Sequence, residues 1–322
     1  MRDRRHRAKR VSQRSLTPPH KTRVEPALLG VVPAAIPGDF SGGQTRNRWA
    51  KASICNAAQQ AAPTGDTYLT NETGADVTDV DGVARDIGRL RRVYAERSVS
   101  SAVRRKTSLL NPGHAYNTEQ RRLIEVELLL KAFPQGLRDV MALDLGCAGG
   151  GQLRELMALG LKPDNFWGID LMPDRVEAAT SAFPDAHFLA GSAHALPMED
   201  ASVELVTQFM LMSSILSPEL SRLVVAEVDR VLKPGGHFLW YDCWTNPLNT
   251  EAKGIGLRTL RRMFPHYRMD VRKITLAPPL ARLVGPKSMQ LVHLLNRIPI
   301  LRTHYLVLLT KPAQAAAGSG TT

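Results

Sequence analysis

Between Val140 and Leu309 the apolar residues come in short continuous runs separated by stretches of helical spacing. The runs Val140–Leu145, Phe166–Leu171, Ala186–Ala190, Val203–Met210 and His237–Tyr241 predict strands, being short and bounded by turn formers. Helices are predicted over Gln152–Leu159, with Gly160 as its C-cap, over Arg175–Ala182, and over Pro218–Leu232. Ser217 stands at the N-cap of the last, Pro218 at its first turn, and Pro234-Gly235-Gly236 ends it. Short strands alternating with helices predict an α/β fold with a parallel sheet and right-handed crossovers. Further on the pattern predicts a helix near Leu257–Phe264, a strand at Met269–Leu276, a helix over Leu280–Leu295 and a last strand at His304–Leu309.

Residues 1–80 have no sustained period and are rich in Pro, Gly, Thr, Asn and Gln, which predicts a disordered extension. Order is expected from about Asp81, where Ile87, Leu90, Val93 and Tyr94 recur at helical spacing. A second helix is expected to start at Asn117 as N-cap, with Gln120 three residues on, and to run through Leu123, Ile124, Val126 and Leu128–Leu130. The expected organisation is an extension over 1–80, a helical segment over 81–138, a main domain over 139–312 and a small-residue tail over 313–322.

Composition narrows the picture in three ways. Apolar residues make up 43 %, ordinary for a soluble protein with a sizeable core. The cysteines Cys55, Cys147 and Cys243 form no closely spaced pair, so neither a metal site nor a disulfide framework is expected, and a reducing, cytoplasmic setting is the simple reading. No apolar run approaches the ~20 residues of a membrane helix; Leu291–Leu309 comes nearest and is broken by Arg297, Pro299, Arg302 and His304. No membrane insertion is therefore expected.

The formal charge of +12 is a property of the extension. Residues 1–23 carry nine Lys and Arg against Asp3 alone, a net +8, which leaves +4 for the other 299 residues. A nearly balanced body argues against a nucleic-acid partner, although such a tail could touch RNA or acidic lipid.

Candidate chemistry concentrates at Val140–Gly151, VMALDLGCAGGG. A buried strand followed by a glycine turn and a helix N-terminus lets a nucleotide-like ligand lie against bare backbone. The carboxylate of Asp144, two residues before Gly146, would repel a pyrophosphate and attract an ammonium group. Asp170 ends the next strand, 20 residues after Gly150, where a carboxylate reaches both hydroxyls of an adenosine ribose. Gly146-Cys147-Ala148-Gly149-Gly150-Gly151 lacks the G-x-G-x-x-G spacing that a nicotinamide dehydrogenase would need.

Asp144-Leu145-Gly146-Cys147-Ala148-Gly149-Gly150 resembles motif I, D-x-G-x-G-x-G, of class I S-adenosylmethionine-dependent methyltransferases, with Ala148 in place of the second glycine. The resemblance implies a Rossmann-like sheet of seven strands, mostly parallel with an antiparallel C-terminal strand, and helices on both faces. It implies S-adenosylmethionine as cofactor, held by Asp144, Gly146, Ala148, Gly150 and Asp170, with Leu171 against the adenine. Gly191-Ser192-Ala193-His194-Ala195-Leu196-Pro197 resembles the family's G-D-A-x-x-L-P segment, which places Ser192 and Ala193 at the adenine with a hydroxyl replacing the usual acid. Gln208 faces the methionine moiety in relatives. Val231–Gly236 resembles the family's structural turn into strand five, and helices before motif I usually form a lid, which makes Ser108–Asn117 an acceptor-facing loop. The segments Leu276–Arg282 and Leu301–Leu306 resemble a bacterial subgroup of methyltransferase type 11-like proteins associated with polysaccharide and small-molecule biosynthesis.

The reaction so implied moves a methyl group to a small-molecule acceptor, with a hydroxyl of a saccharide or secondary metabolite expected. The candidates for a general base are Asp242, His114 and His194, in that order. The alternatives are an RNA or protein methyltransferase guided by the basic tail, and a silent cofactor-binding module, which the changes at Ala148 and Ser192 raise. Against the first, Asn246-Pro247-Leu248 is only superficially similar to the tetrapeptide that handles flipped bases or amides.

Overall fold

A computed structural model describes residues 79–106, 108–246 and 251–313. Nearly all of the predicted extension, the tail 314–322, and Pro247 and Leu248 lie outside the described residues.

Seven strands form one sheet in the order β3-β2-β1-β4-β5-β7-β6. They are β1 (Ala142–Leu145), β2 (Phe166–Asp170), β3 (His187–Ala190), β4 (Val203–Phe209), β5 (Leu232–Cys243), β6 (Arg268–Leu276) and β7 (Arg302–Thr310). The first five pair in parallel, and β7 pairs antiparallel with both β5 and β6. β1 and β2 are buried at every position, as strands covered on both faces must be. The sheet reverses its order between β1 and β4, and crevices at such a switch point are where α/β folds bind ligands. Every predicted strand is present, within a few residues at each end. β5 starts earlier than expected because Leu232 pairs with Val203 ahead of a register shift, with Gly235 at φ 79° supplying the kink.

Helices α4 (Gly151–Met157), α5 (Pro173–Ala182) and α6 (Pro218–Val231) are the crossovers. In α6 the Ser217 side chain accepts from the Leu220 N–H, and Leu220, Val224, Val228 and Val231 form the buried stripe that binds it to the sheet. Ahead of β1 stand α1 (Val80–Val99), α2 (Ser101–Lys106) and α3 (Pro112–Ala132). Asp79 caps α1 by accepting from Gly82 N at 2.8 Å.

The start of α3 corrects the sequence reading. Its cap is Asn111, whose Oδ1 accepts from the N–H groups of Gly113 and His114 at 3.0 and 3.1 Å. Pro112 at the first turn favours that start. Asn117 lies buried inside the helix and donates to the Leu276 carbonyl at 2.8 Å. Most of Ser108–Asn117 is therefore helix, and only its first residues form a turn. Gly113 permits the contact: a Cβ there would lie 1.8 Å from the Ala281 carbonyl oxygen. After β5 come α7 (Leu257–Met263), α8 (Pro278–Val284) and α9 (Met289–Asn296). The single helix expected over Leu280–Leu295 is two, because Gly285-Pro286 interrupts it.

Candidate active site

Three left-handed residues shape the turn after β1: Gly146 at φ 76°, Ala148 at 46° and Gly150 at 75°. Glycine adopts this conformation freely, whereas Ala148 carries a Cβ into it at a cost of about 1 kcal/mol. A Cβ on Gly150 would press to 2.9 Å on the Phe183 ring, so that glycine serves helix packing as well as the turn. The N–H groups of Gly146 and Cys147 donate to the Ile169 carbonyl at 2.7 and 3.0 Å, locking the turn to the end of β2.

Asp170 completes the clamp. Its Oδ2 accepts from Ala148 N and its Oδ1 from Met172 N, each at 2.9 Å. Each carboxylate oxygen can accept a second bond, so the group can receive a pair of hydroxyls while still holding the turn. A cavity of about 300 Å³ opens in front of it. Gly146, Ala148, Asp170 and Leu171 line one side, and Gly191, Ser192 and Ala193 another. Opposite lie Met210, Leu211 and Ile215 from the segment after β4, with Leu220 and Val224 of α6. α1 contributes Leu90, Tyr94 and Arg97.

The α1 wall is held by polar bonds to the segments after β4 and after β5. Asp86 accepts from Leu216 N and Ser217 N at 2.8 and 2.9 Å, and Arg89 donates to Glu251 at 2.8 Å. Tyr94 shares a hydrogen bond with Ser214 at 2.9 Å, and the Arg175 guanidinium lies 4.9 Å from the Tyr94 ring centroid. Met210 takes φ 62°, an outlier for a bulky residue. Its N–H donates to the Tyr241 carbonyl at 2.9 Å and its carbonyl accepts from Ser214 Oγ at 3.0 Å, so this strained residue turns the chain into the cavity wall.

Six of the nine residues expected to hold a cofactor border this cavity: Gly146, Ala148, Asp170, Leu171, Ser192 and Ala193. Asp144, Gly150 and Gln208 do not line it. Asp144 is fully buried and accepts from Thr207 Oγ1 at 2.7 Å; burial pushes its pKa up to about 7, which Glu125 and Asp170 reinforce and Thr207 and Arg121 oppose. Gln208 does not face the cavity either. Its Oε1 accepts from Leu211 N at 2.9 Å and Met212 N at 3.4 Å, which braces the turn after β4. Both were expected to touch the cofactor; the structure places them outside the cavity lining, bonded to Thr207 and to the turn after β4.

None of the three general-base candidates borders the cavity. Asp242 is sealed in the core, with Oδ2 accepting from Ser213 N at 2.8 Å and Oδ1 from Cys243 N at 3.0 Å, and burial pushes its pKa up to about 6. His114 lies in the first turn of α3. His194 stands beside the cavity, its Nδ1 2.6 Å from Ser192 Oγ, with its pKa lowered by burial.

Sequence reasoning missed a buried polar layer between α3 and α4. Arg121 bonds Glu125 at 2.7 Å, Gln152 donates to the other Glu125 oxygen, and the Arg121 guanidinium lies 4.6 Å from the Phe209 ring centroid. The signal was present, since Arg121 and Glu125 share a helical face with Leu128, Leu129 and Ala132. Tyr94 was legible as an apolar position of α1, but its place over the cavity was not.

The donor set suits an adenosine: a carboxylate for a diol, bare backbone at Gly146, apolar contact from Leu171 and a hydroxyl at Ser192. A Cβ on Gly146 would come within 3.0 Å of Leu211 and narrow the floor. Among the described residues no group of His, Cys, Asp and Glu could hold a metal ion.

Residues 143–240 match the family model described as a methyltransferase domain. A sterol 4-C-methyltransferase of Caenorhabditis elegans is 29 % identical over 110 residues, 32 % of this chain and 31 % of that protein. A tRNA N(3)-cytidine methyltransferase of Gallus gallus is 26 % identical over 144 residues, 42 % and 39 % of the two chains. A fatty-acid O-methyltransferase of Mycolicibacterium smegmatis is 34 % identical over 102 residues, 31 % and 36 %. The chain thus matches well under half the length of each of these three relatives.

Proposed function

Since this chain carries a class I S-adenosylmethionine-dependent methyltransferase domain, we propose that it transfers a methyl group to an oxygen of a small apolar or lipid-like acceptor. The domain spans 139–312 by this reading, with the helical segment 81–138 supplying its lid. The observation that carries it is the Asp170 carboxylate facing a cavity bounded by the Gly146–Ala148 turn. Relatives named for sterol and fatty-acid substrates support an apolar acceptor. The walls supplied by Ile215, Leu220 and Val224 suit one better than the saccharide expected from sequence.

S-adenosylmethionine, when bound, supplies a methyl group already activated on sulfur. The work left to the protein is orientation and dryness. Asp170 and the backbone at Gly146 and Ala148 fix the nucleoside end. Leu90 and Tyr94 of α1, with Ile215, give the cavity apolar walls that disfavour water. With Asp242 sealed in the core, His114 on α3 and His194 beside the cavity but outside its lining, alignment rather than proton abstraction carries the rate in this reading.

Titration calorimetry with S-adenosylmethionine and its demethylated product tests the cofactor step, and binding of both is expected. Labelled cofactor offered with fractionated lipids, saccharides and RNA tests the acceptor, with label expected in the lipid or small-molecule fraction. Absence of cofactor binding ends the reading. Label in RNA alone replaces it with the tRNA-like reading, which the Gallus gallus relative and the basic residues 1–23 favour.

A further inference from the structure

β7 runs antiparallel to both β5 and β6, so β6 runs parallel to β5 and ends at the carboxyl edge of the sheet, where the cavity opens. The two helices that follow, α8 and α9, therefore stand at that edge. Their inner side is packed: Leu276, Ala281 and Val292 form a small buried cluster with Tyr116 and Leu280 against it. Their outer side is bare and apolar. Leu283 is 64 % exposed, Leu294 57 %, Ile300 69 %, and Leu291 and Ile298 are exposed as well. Leu291 and Leu294 lie three apart on α9 and share one stripe, and Ile298 follows two residues beyond the end of that helix. Leu110, 93 % exposed, stands next to α8, because Asn111 Nδ2 donates to the Arg282 carbonyl at 3.1 Å.

Charge on this segment is of one sign. From Ala277 to Thr303 there is no Asp or Glu, while Arg282, Lys287, Arg297 and Arg302 are present. Lys287 and Arg297 are exposed and form no ion pair with a carboxylate among the described residues. An exposed apolar face flanked by cations that pair with no carboxylate among the described residues, with no acid in the same segment, is complementary to anionic headgroups above hydrocarbon. A water-facing surface of this size would ordinarily carry mixed charge and few large apolar side chains.

We propose that the face built by α8, α9 and Leu110 docks on an anionic lipid surface, with Leu283, Leu291, Leu294, Ile298 and Ile300 entering the headgroup boundary. Lys287 and Arg297 meet lipid phosphates from its rim. The docking surface stands on its own observations. Its use, presenting the carboxyl edge to an acceptor dissolved in the membrane, rests on the methyl-transfer reading above.

The test is sedimentation of the full chain with phosphatidylcholine vesicles, with and without phosphatidylglycerol. Residues 1–23 also attract anionic vesicles, so the deciding variant is Leu291→Ser/Leu294→Ser/Ile300→Ser, which leaves every charge in place. Wild type is expected to bind anionic vesicles, and the triple variant to lose at least about tenfold in partitioning, since binding scales with apolar area buried. Lys287→Glu/Arg297→Glu is expected to lose on the order of fivefold per cation removed, on anionic vesicles only. Wild type that stays in solution, or a triple variant that sediments like wild type, overturns the proposal. A wild-type dimer in analytical ultracentrifugation that becomes monomeric in the triple variant also overturns it, and assigns the face to a second copy of the chain. Calorimetry with S-adenosylmethionine on each variant reports folding and the cofactor reading separately: no binding by wild type ends that reading and leaves the vesicle result standing.

Discussion

Asp170 ends β2 and Asp242 lies one residue before the end of β5, with two strands between them along the same carboxyl edge, and the two do the same local job. Each carboxylate accepts two backbone N–H groups: Asp170 those of Ala148 and Met172, Asp242 those of Ser213 and Cys243. What differs is the space in front. Asp170 faces a cavity, while Asp242 is enclosed and its pKa is driven up to about 6 by burial. An acid after a strand can therefore receive a ligand only where packing leaves its second lone pairs reachable. Where packing closes over it, the same residue is a loop clamp.

The largest expected effect separates the two sites directly. Asp170→Ala should weaken S-adenosylmethionine by at least about 100-fold in calorimetry, because charge-assisted bonds to a diol are worth ~1.5–3 kcal/mol each. Asp242→Asn should leave that affinity within about threefold. Comparable losses in both would erase the distinction.

Asp144 sharpens the comparison through pH. Its folded pKa of about 7 lies above the unfolded value of ~3.9, so the folded state prefers the protonated acid. That preference stabilises fully below the unfolded value and is lost as pH rises through the folded one. Asp144→Asn cannot ionise, so wild type should lose stability relative to it between pH 4 and pH 7, by up to a few kcal/mol at ~1.4 kcal/mol per unit. Parallel denaturant midpoints for the two across that range would show that Asp144 is ionised at no cost.

A smaller effect is expected in stability at Asp242. Replacing it with Asn turns an amide N–H₂ toward one of two backbone donors, which should cost about 1–3 kcal/mol in chemical denaturation. Were it instead a general base, turnover would fall by ~10²–10⁴ with little change in stability. The smallest effect is at the turn: Ala148→Gly should relieve the left-handed alanine, with a gain of no more than ~1 kcal/mol offset in part by the entropy of glycine. A destabilised Ala148→Gly protein would mean that the methyl group packs more than it strains.

Much of this was legible in the chain. Short apolar runs alternating with helical spacing are enough to specify a layered α/β sheet, since the period of a run states which faces it can bury. The turn after β1 and Asp170 were legible because their chemistry is local, a matter of backbone freedom and one carboxylate at a fixed distance along the chain. The cap at Asn111 is marked locally by Pro112 after it, a stronger start signal than the Asn117–Gln120 spacing, and Gly113 then lets this first turn approach Ala281.

What Asp144, Gln208 and Asp242 bond and what surrounds them is decided by tertiary structure alone. Each is a polar side chain near a strand end, and sequence carries no record of which way the neighbouring turn folds over it. The wall from α1 and the bare outer side of α8 and α9 belong to the same class. Sequence determined which residues could bury and which could bend. Only packing determined which polar groups still face open space, because exposure is a property of everything that surrounds a residue.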